Sequence, residues 1–155
     1  MSAASGPFAE RHGWKLHRAG AFAHTLAALQ AEVERLAAER PDVYRANPKT
    51  KLLARVRTLI LDEIPHDPNA RVYALGNTLG PAHRHWRRAK FLQRFRLFFR
   101  FDSASRIIVY AWMNDENILR KAGARSDPYA VFAQRLDAGD PPDDWNELLS
   151  EARGA

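Results

Sequence analysis

A strictly alternating segment in the middle of the chain most constrains its fold. From residue 94 to 101 apolar side chains alternate with arginines: Phe95, Leu97, Phe99 and Phe101 against Arg94, Arg96 and Arg100. Successive side chains of a strand point to opposite sides of a sheet, so this pattern predicts one face in a core and guanidinium groups on the other. Just upstream, Arg88 and Lys90 share a face by the same period. A sheet face that carries arginine and lysine favours a phosphate-bearing partner.

Two further strands are predicted around this one. Asp102 to Ser105 reads as a hairpin turn, and Ile107 to Met113 is an almost continuous apolar run, typical of a strand covered on both sides. Near the start, Gly13 to His17 forms a short strand candidate, with Trp14 and Leu16 facing one side and His17 the other. The chain therefore contains the strands of a small sheet.

Helices are predicted on both sides of these strands. An amphipathic stripe runs from residue 22 to 40 and is closed by Pro41; its members are Phe22, Leu26, Leu29, Val33 and Leu36. Asn47-Pro48 caps a second helix that ends before Pro65, and the two helices form an antiparallel hairpin. Asp127-Pro128 opens a third helix that stops at Gly139. A short acidic helix follows at Trp145.

Length and composition bound the class of protein. With 155 residues, 46% of them hydrophobic, the chain is expected to form one domain over residues 13–150, preceded by a flexible leader at 1–12. No run is long enough to cross a membrane, and the leader lacks a signal-peptide core. Without cysteine there is no disulfide framework and no thiolate chemistry. The expected location is the cytoplasm.

The net charge of +6 is concentrated in one segment. Between Pro68 and Phe101 there is no acidic residue, whereas eight of the 24 Lys and Arg residues lie there. Elsewhere the 18 acidic residues outnumber the basic ones. A concentrated patch is the electrostatic footprint expected for nucleic acid.

The order of elements and several short words resemble a known family. The words are WRRAKF, FRLFFRF, IIVYAWMNDEN, SDPYAVF and DPPDDW, which begin at residues 86, 95, 107, 126 and 140. Together they resemble the YhaV toxins of the RelE-like superfamily of toxin endoribonucleases. The resemblance covers Gly13 to Leu149.

The resemblance implies a fold, an activity and partners. The fold would be α+β and RelE-like: a small twisted antiparallel sheet with the N-terminal helical hairpin on one face, an RNA-cleaving groove on the other, and a C-terminal helix. The activity would be that of an mRNA interferase of a type II toxin–antitoxin system, which cuts RNA by 2′-hydroxyl attack without a metal or cofactor, on or off the ribosome, and arrests growth. The partner would be a PrlF-type, AbrB-like antitoxin that neutralises the toxin and joins it in binding operator DNA.

The resemblance also assigns roles to residues. Arg88 matches a cationic strand position of the superfamily's active site, and Arg96 its phosphate-binding arginine. Tyr129 resembles the superfamily's late tyrosine. Lys90, which shares a face with Arg88, completes the expected catalytic set. The residues expected to contact RNA around it are His83, His85, Arg87, Arg94 and Arg100.

The sequence allows more than one role for several of these residues. The proton-transfer group is Lys90, His85, Glu116 or Tyr129. Tyr129 is a core residue as readily as a catalytic one, because it begins the apolar stripe of its helix. His83-x-His85 resembles half a zinc site, but the sequence places no acid near it, so no metal is expected.

The sequence also leaves alternatives for Phe98, for the acidic tail and for the kind of protein. Phe98, alone on the arginine face, either stacks on a base or is covered by a C-terminal helix. The acidic tail from Asp137 either packs structurally through Trp145 and Leu148 or lies over the basic groove. For the protein itself, the alternatives to a nuclease are a non-catalytic RNA- or ribosome-binding protein and a DNA-binding regulator. The regulator is disfavoured because neither N-terminal helix has a basic recognition face.

Overall fold

A five-stranded mixed sheet forms the centre of the computed structural model, which describes residues 6–115 and 127–154. The strands are β1 (Ala9–Arg11), β2 (Trp14–Arg18), β3 (Arg87–Phe91), β4 (Phe95–Asp102) and β5 (Ile107–Met113), in the spatial order β1-β2-β5-β4-β3. All neighbouring strands are antiparallel except β2 and β5, which run parallel. The expectation of an antiparallel sheet is therefore wrong for this pair. The α+β class is confirmed.

The predicted hairpin between β4 and β5 is confirmed. The Asp102 carboxylate accepts hydrogen bonds from the backbone N–H and the hydroxyl of Ser105, at 3.0 and 2.5 Å, which closes the turn. A β-bulge on β5 lies opposite the step from Phe98 to Phe99. Because of that extra residue, Ala111 and Trp112 both face the side of Phe98.

Residues expected to be a flexible leader contribute the edge strand β1. Ala9 pairs with Leu16, and Arg11 with Trp14. The left-handed backbone of His12 and Gly13, with φ of 51° and 80°, makes the tight turn between β1 and β2. The expectation of a leader is corrected for these residues, since an unpatterned three-residue strand carries no period for the sequence to reveal.

In the described parts of the chain, four helices of ten or more residues cover the sheet. They are α1 (Gly20–Glu39), α2 (Pro48–Thr58), α3 (Pro128–Asp137) and α4 (Trp145–Gly154). Two predicted caps are confirmed: the Asn47 side chain accepts from the Lys49 N–H at 2.9 Å, and the Asp127 side chain from the Tyr129 N–H at 3.0 Å.

The second helix continues past its predicted end before Pro65. It passes through a π-helical turn, Leu59–Glu63, into a last turn at Ile64–His66. In this turn the Ile64 N–H bonds to the Leu59 carbonyl, and Pro65 has no N–H to offer the carbonyl of Ile60. The buried hydroxyl of Tyr110 donates to that carbonyl instead, at 2.6 Å, and so ties the helix to β5.

The two faces of the sheet lie in separate hydrophobic cores. The first core joins the stripes of α1 and α2 to alternate strand residues such as Leu97, Phe99 and Tyr110. The second joins α3 and α4 to the intervening residues, among them Phe98 and Trp112. Both N-terminal helices therefore pack on one face of the sheet, and the other face is not an open groove. Phe98 is fully buried, and its ring stacks on Phe132 of α3 with centroids 4.1 Å apart.

His17 on β2 is also buried, as Phe98 is on β4. The alternation of β2 placed it on the side opposite Trp14 and Leu16. Only 2% of its surface is exposed, and its Nε2 has no hydrogen-bond partner in the described ranges. Burial, together with the charges of Arg153 and Lys15, lowers its pKa. The imidazole is therefore held neutral beside α4.

No helix in the described ranges is long and apolar enough to cross a membrane.

Candidate functional site

Arg88 and Arg96 meet at one hydroxyl group. In the β3–β4 ladder Arg88 lies opposite Phe98, and Arg96 lies opposite Lys90, so both arginines are on the same face. Arg88 Nη1 donates to the Tyr129 hydroxyl oxygen at 3.2 Å, and Arg96 Nε donates to the same oxygen at 3.1 Å. The prediction that the two arginines share a face is confirmed, and we call the three residues the arginine–tyrosine site.

Both guanidinium groups are held by neutral oxygen atoms. Arg88 Nη2 donates to the Ala74 carbonyl at 3.3 Å. Arg96 Nη1 donates to the carbonyls of Gln93 and Phe95, each at 2.9 Å. Among residues 6–115 and 127–154, neither arginine forms an ion pair with a carboxylate. Two positive charges therefore lie side by side without an acidic counter-charge in this part of the chain.

The arginines are buried rather than displayed on an open surface. Arg88 is 8% exposed and Arg96 is 7% exposed, because Tyr129 at the start of α3 covers them. Arg88 Nε is buried and has no hydrogen-bond partner among the described residues. A buried donor on a charged group is costly when it lacks an acceptor, so an oxygen of a bound phosphate would stabilise Arg88 here.

Tyr129 combines the two roles that its sequence position left open. Its ring is 7% exposed and packs edge-on against Phe98 with centroids 5.6 Å apart, as a core residue would. Its hydroxyl nevertheless receives the two guanidinium hydrogen bonds. The Asp127 cap fixes the N-terminus of α3 and so places this hydroxyl over β3 and β4.

Lys90 lies at the rim of the same face. It is exposed and directly opposite Arg96 in the ladder. Residues paired in this way have Cβ atoms about 5 Å apart. The ammonium group can therefore reach a phosphate or a ribose that is held by Arg96.

Asn114 is a site residue that the sequence reasoning did not assign. It is fully buried just beyond β5. Its side-chain oxygen accepts from the backbone N–H of Arg96 at 2.8 Å, and its side-chain nitrogen donates to the Arg94 carbonyl at 3.0 Å. The amide thus continues the sheet ladder with a side chain and fixes the backbone from which Arg96 projects. A polar residue that ends a wholly apolar strand was the available signal.

Three of the expected RNA-contacting residues bind the C-terminal segment. His83 Nδ1 and His85 Nε2 lie 3.2 and 3.1 Å from one carboxylate oxygen of Asp143, and Trp86 Nε1 donates to the same oxygen at 2.7 Å. Arg100 donates to the Asp143 backbone carbonyl and lies over the rings of Trp86 and Trp145. We call this group the Asp143 cluster.

The Asp143 carboxylate is held in its charged form. Burial alone would raise its pKa, but the Trp86 hydrogen bond and the contacts with His85 and His83 outweigh burial, and the pKa is lowered. The sequence placed no acid near His83 and His85, and the structure corrects this. Even so, no group of three or more metal-ligating side chains suited to a metal ion occurs in the described ranges.

The remaining predicted contacts lie apart from the arginine–tyrosine site. Arg87 points to the opposite face, where its guanidinium lies 5.5 Å from the centroid of the Phe101 ring. Arg94 lies in the exposed turn between β3 and β4, and the left-handed Leu92 and Gln93, with φ of 45° and 67°, form that turn. The strict arginine row is therefore broken at Arg94. Glu116, the rival base, lies outside the described residues.

Comparison with known proteins identifies the class of protein to which the chain belongs. Residues 16–153 match a family described as a toxin with endonuclease activity, of a toxin–antitoxin system. The ribonuclease toxin YhaV of Escherichia coli K12 is 41% identical over 142 residues, which cover 90% of this chain and 92% of that protein. Toxin YhaV of Escherichia coli O157:H7 matches to the same extent. No solved structure matches significantly.

The chain in which Tyr129 covers Arg88 and Arg96 is thus a toxin with endonuclease activity from a toxin–antitoxin system. The chain belongs to the YhaV toxin family. The resemblance carried by its sequence words is confirmed.

The acidic tail is packed into the structure, and its removal gives a first test. Leu148 is fully buried and Ala152 is buried in the second core. We expect deletion of residues 140–155 to lower the unfolding free energy by at least 2–5 kcal/mol, the approximate cost of emptying one buried leucine site. Urea denaturation followed by circular dichroism measures this, with a deletion of residues 153–155 as the control. A truncated toxin that keeps its stability but gains nuclease activity would instead show that the tail is inhibitory.

Proposed function

We propose that this toxin is a metal-independent endoribonuclease that cuts mRNA at the arginine–tyrosine site. The observation that carries this proposal is the pair of buried guanidinium groups that share the Tyr129 hydroxyl and have no carboxylate partner among the described residues. The ribonuclease name of the relative from Escherichia coli K12 supports RNA as the substrate. The concentrated positive charge of residues 68–101 agrees with a polyanionic substrate.

The proposed reaction uses the RNA's own 2′-hydroxyl as the nucleophile. The 2′-oxygen loses its proton and bonds to phosphorus, the bond from phosphorus to the 5′-oxygen breaks, and that oxygen gains a proton. The products are a 2′,3′-cyclic phosphate and a 5′-hydroxyl end. The protein's tasks are to place the phosphate, stabilise its extra negative charge and move two protons.

Arg88 and Arg96 suit the charge-stabilising task. Guanidinium groups stay charged at any physiological pH and offer paired donors that match phosphate oxygens. Because both are fixed by Tyr129 and by backbone carbonyls, they need little reorganisation as charge develops, which is where electrostatic catalysis gains most. In this proposal Arg88 Nε, for which the described parts of the chain offer no partner, donates to a phosphate oxygen.

Proton transfer is assigned to the residues at the edge of this pair. Lys90 lies across the ladder from Arg96, and the Tyr129 hydroxyl lies between the two guanidinium groups. His85 is a weaker candidate for proton transfer than the sequence indicated, because its Nε2 contacts Asp143. In this proposal the RNA is also contacted away from the reacting phosphate, by Arg87, Arg94 and Arg100.

The finer features of the family complete the proposal. We assign the fold to the RelE-like type and the partner to a PrlF-type, AbrB-like antitoxin that neutralises the toxin and carries it to operator DNA. The site of action is the cytoplasm, on mRNA that is free or bound to the ribosome. Membership of a toxin–antitoxin family supports the existence of the antitoxin.

Cleavage in the presence of a chelator tests the mechanism. We expect the purified toxin to cut RNA at an unchanged rate in EDTA and to leave 2′,3′-cyclic phosphate ends, which mass spectrometry of the fragments detects. An oligonucleotide with a single 2′-deoxy substitution at the cleaved position is the matched control and should stay intact, because its nucleophile is gone. Cleavage that stops on chelation, or that proceeds on the 2′-deoxy substrate, would overturn the proposed reaction.

A further inference from the structure

A second group of arginines lies far from the arginine–tyrosine site. Arg11 on β1, Arg18 at the end of β2 and Arg57 on α2 line a cavity of about 260 Å³. Its remaining wall includes the apolar side chains of Leu26, Ile60 and Leu61. We call this the arginine pocket.

The pocket has positive charge without local compensation. No aspartate or glutamate lines it, and none of its three arginines forms an ion pair within the described ranges. The acids at the end of α2 are engaged elsewhere, since Asp62 contacts His12 and Glu63 pairs with Arg55. Three guanidinium groups around one cavity repel one another, so an anionic group from another molecule is the occupant that the charges favour.

The position of the pocket separates it from the proposed catalytic site. Leu26 and Ile60 belong to the core on the α1–α2 side of the sheet, whereas Arg88 and Arg96 lie on the α3 side. β1 and β3 are the two outer strands of the sheet, roughly 20 Å apart at the usual strand spacing. A partner in the pocket would therefore leave the arginine–tyrosine site open.

The surroundings favour a peptide over RNA. Single-stranded RNA is usually held by an aromatic face on which a base stacks. Among the described residues that line the pocket only Phe8 is aromatic, and the guanidinium of Arg18 lies over its ring at 4.7 Å. β1, by contrast, is an edge strand paired with β2 alone among the described strands, and its outer side suits an added strand.

We propose that the arginine pocket and β1 form a docking surface for an extended acidic segment of the antitoxin. Carboxylates of that segment bind Arg11, Arg18 and Arg57, and its apolar side chains lie against Leu61. The inference rests on the proposed antitoxin partner and adds where, and by what chemistry, it binds.

A charge-matched pair of double variants tests this surface. Arg11→Gln/Arg57→Gln removes two exposed charges from the pocket, and Arg40→Gln/Arg45→Gln removes two exposed charges at the far end of the helical hairpin. The antitoxin encoded beside the toxin gene is the probe, and its Kd is measured by calorimetry at two salt concentrations. We expect the pocket variant to bind at least tenfold more weakly with a smaller salt dependence, and the control to bind within twofold of the unmodified toxin. RNA cleavage by both free variants should stay unchanged.

The possible failures are distinguishable. If the unmodified toxin does not bind the antitoxin, the proposed partner is wrong. If it binds and the pocket variant binds equally well, only the docking surface is wrong. If RNA cleavage falls in the pocket variant while antitoxin binding holds, the pocket serves RNA and the inference is overturned.

Discussion

Arg96→Ala is expected to lower the rate of RNA cleavage by about 10²- to 10³-fold while RNA binding persists, the usual effect of removing one preorganised donor from a developing charge. Arg88→Ala should act similarly, because both guanidinium groups contact the same Tyr129 hydroxyl. The loss should appear in kcat under saturating RNA. Single-turnover cleavage of a labelled oligonucleotide, alongside its Kd from fluorescence anisotropy, separates the two quantities.

Arg94→Ala and Arg87→Ala are the matched controls. Each removes one positive charge from the same segment, but Arg94 lies in an exposed turn and Arg87 faces the other side of the sheet. We expect either change to weaken RNA binding only slightly, by about one phosphate contact in the salt dependence. Arg96→Lys keeps the charge but loses the planar fork, and should recover little activity.

A buried arginine also has a structural role, so stability must be measured beside activity. Arg96 holds the carbonyls of Gln93 and Phe95, and its removal is expected to lower Tm by some degrees. A folded Arg96→Ala protein that cleaves at the normal rate would refute the assignment.

Phe132→Ala is expected to lower the unfolding free energy by about 3–5 kcal/mol, the range seen when a large aromatic residue is removed from a core. Phe132 is fully buried. Its ring stacks on Phe98 at 4.1 Å and on Trp112 at 5.7 Å, and it meets Trp86 edge-on at 5.0 Å. Urea denaturation followed by tryptophan fluorescence measures the change.

Val131→Ala on the same helix is the control for this effect. Val131 is only partly buried beside the second core, so its truncation should cost about 1 kcal/mol or less. If Phe132→Ala cost no more than Val131→Ala, α3 would not be packed on the sheet as the structure shows. The face of β4 that carries Phe98 would then be open.

Most helices, strands and caps were predictable because each depends on residues that are close together in the sequence. A period of two places Leu97 and Phe99 on one side of β4, and a period of about 3.6 produces the buried stripe of α1. The caps at Asn47 and Asp127 depend only on a side chain and the N–H two residues later. Residues 6–113 therefore contain few surprises in the type of each element, apart from β1 and the end of α2.

The sequence pattern did not predict which distant segments of the chain become neighbours in the fold. The parallel pairing of β2 with β5 joins residues about 90 apart, and no periodicity encodes which strand becomes a neighbour. In the same way Asp143 contacts His83, His85 and Trp86 from about 60 residues away. The sequence showed a tail rich in acids and a segment rich in cations, but not that one carboxylate would join them.

The sequence alone determined the family, the strand that carries Arg96 and the shared face of Arg88, Lys90 and Arg96, because each depends on residue words or on a two-residue period. Only the tertiary structure decided that this face is covered, that Tyr129 places its hydroxyl between two guanidinium groups, and that Asn114 secures the backbone of Arg96. The physical reason is that α3 buries Phe132 by packing it on Phe98, Trp112 and Trp86. This packing brings the start of the helix over the arginines, an outcome of long-range contacts that the local sequence pattern does not contain.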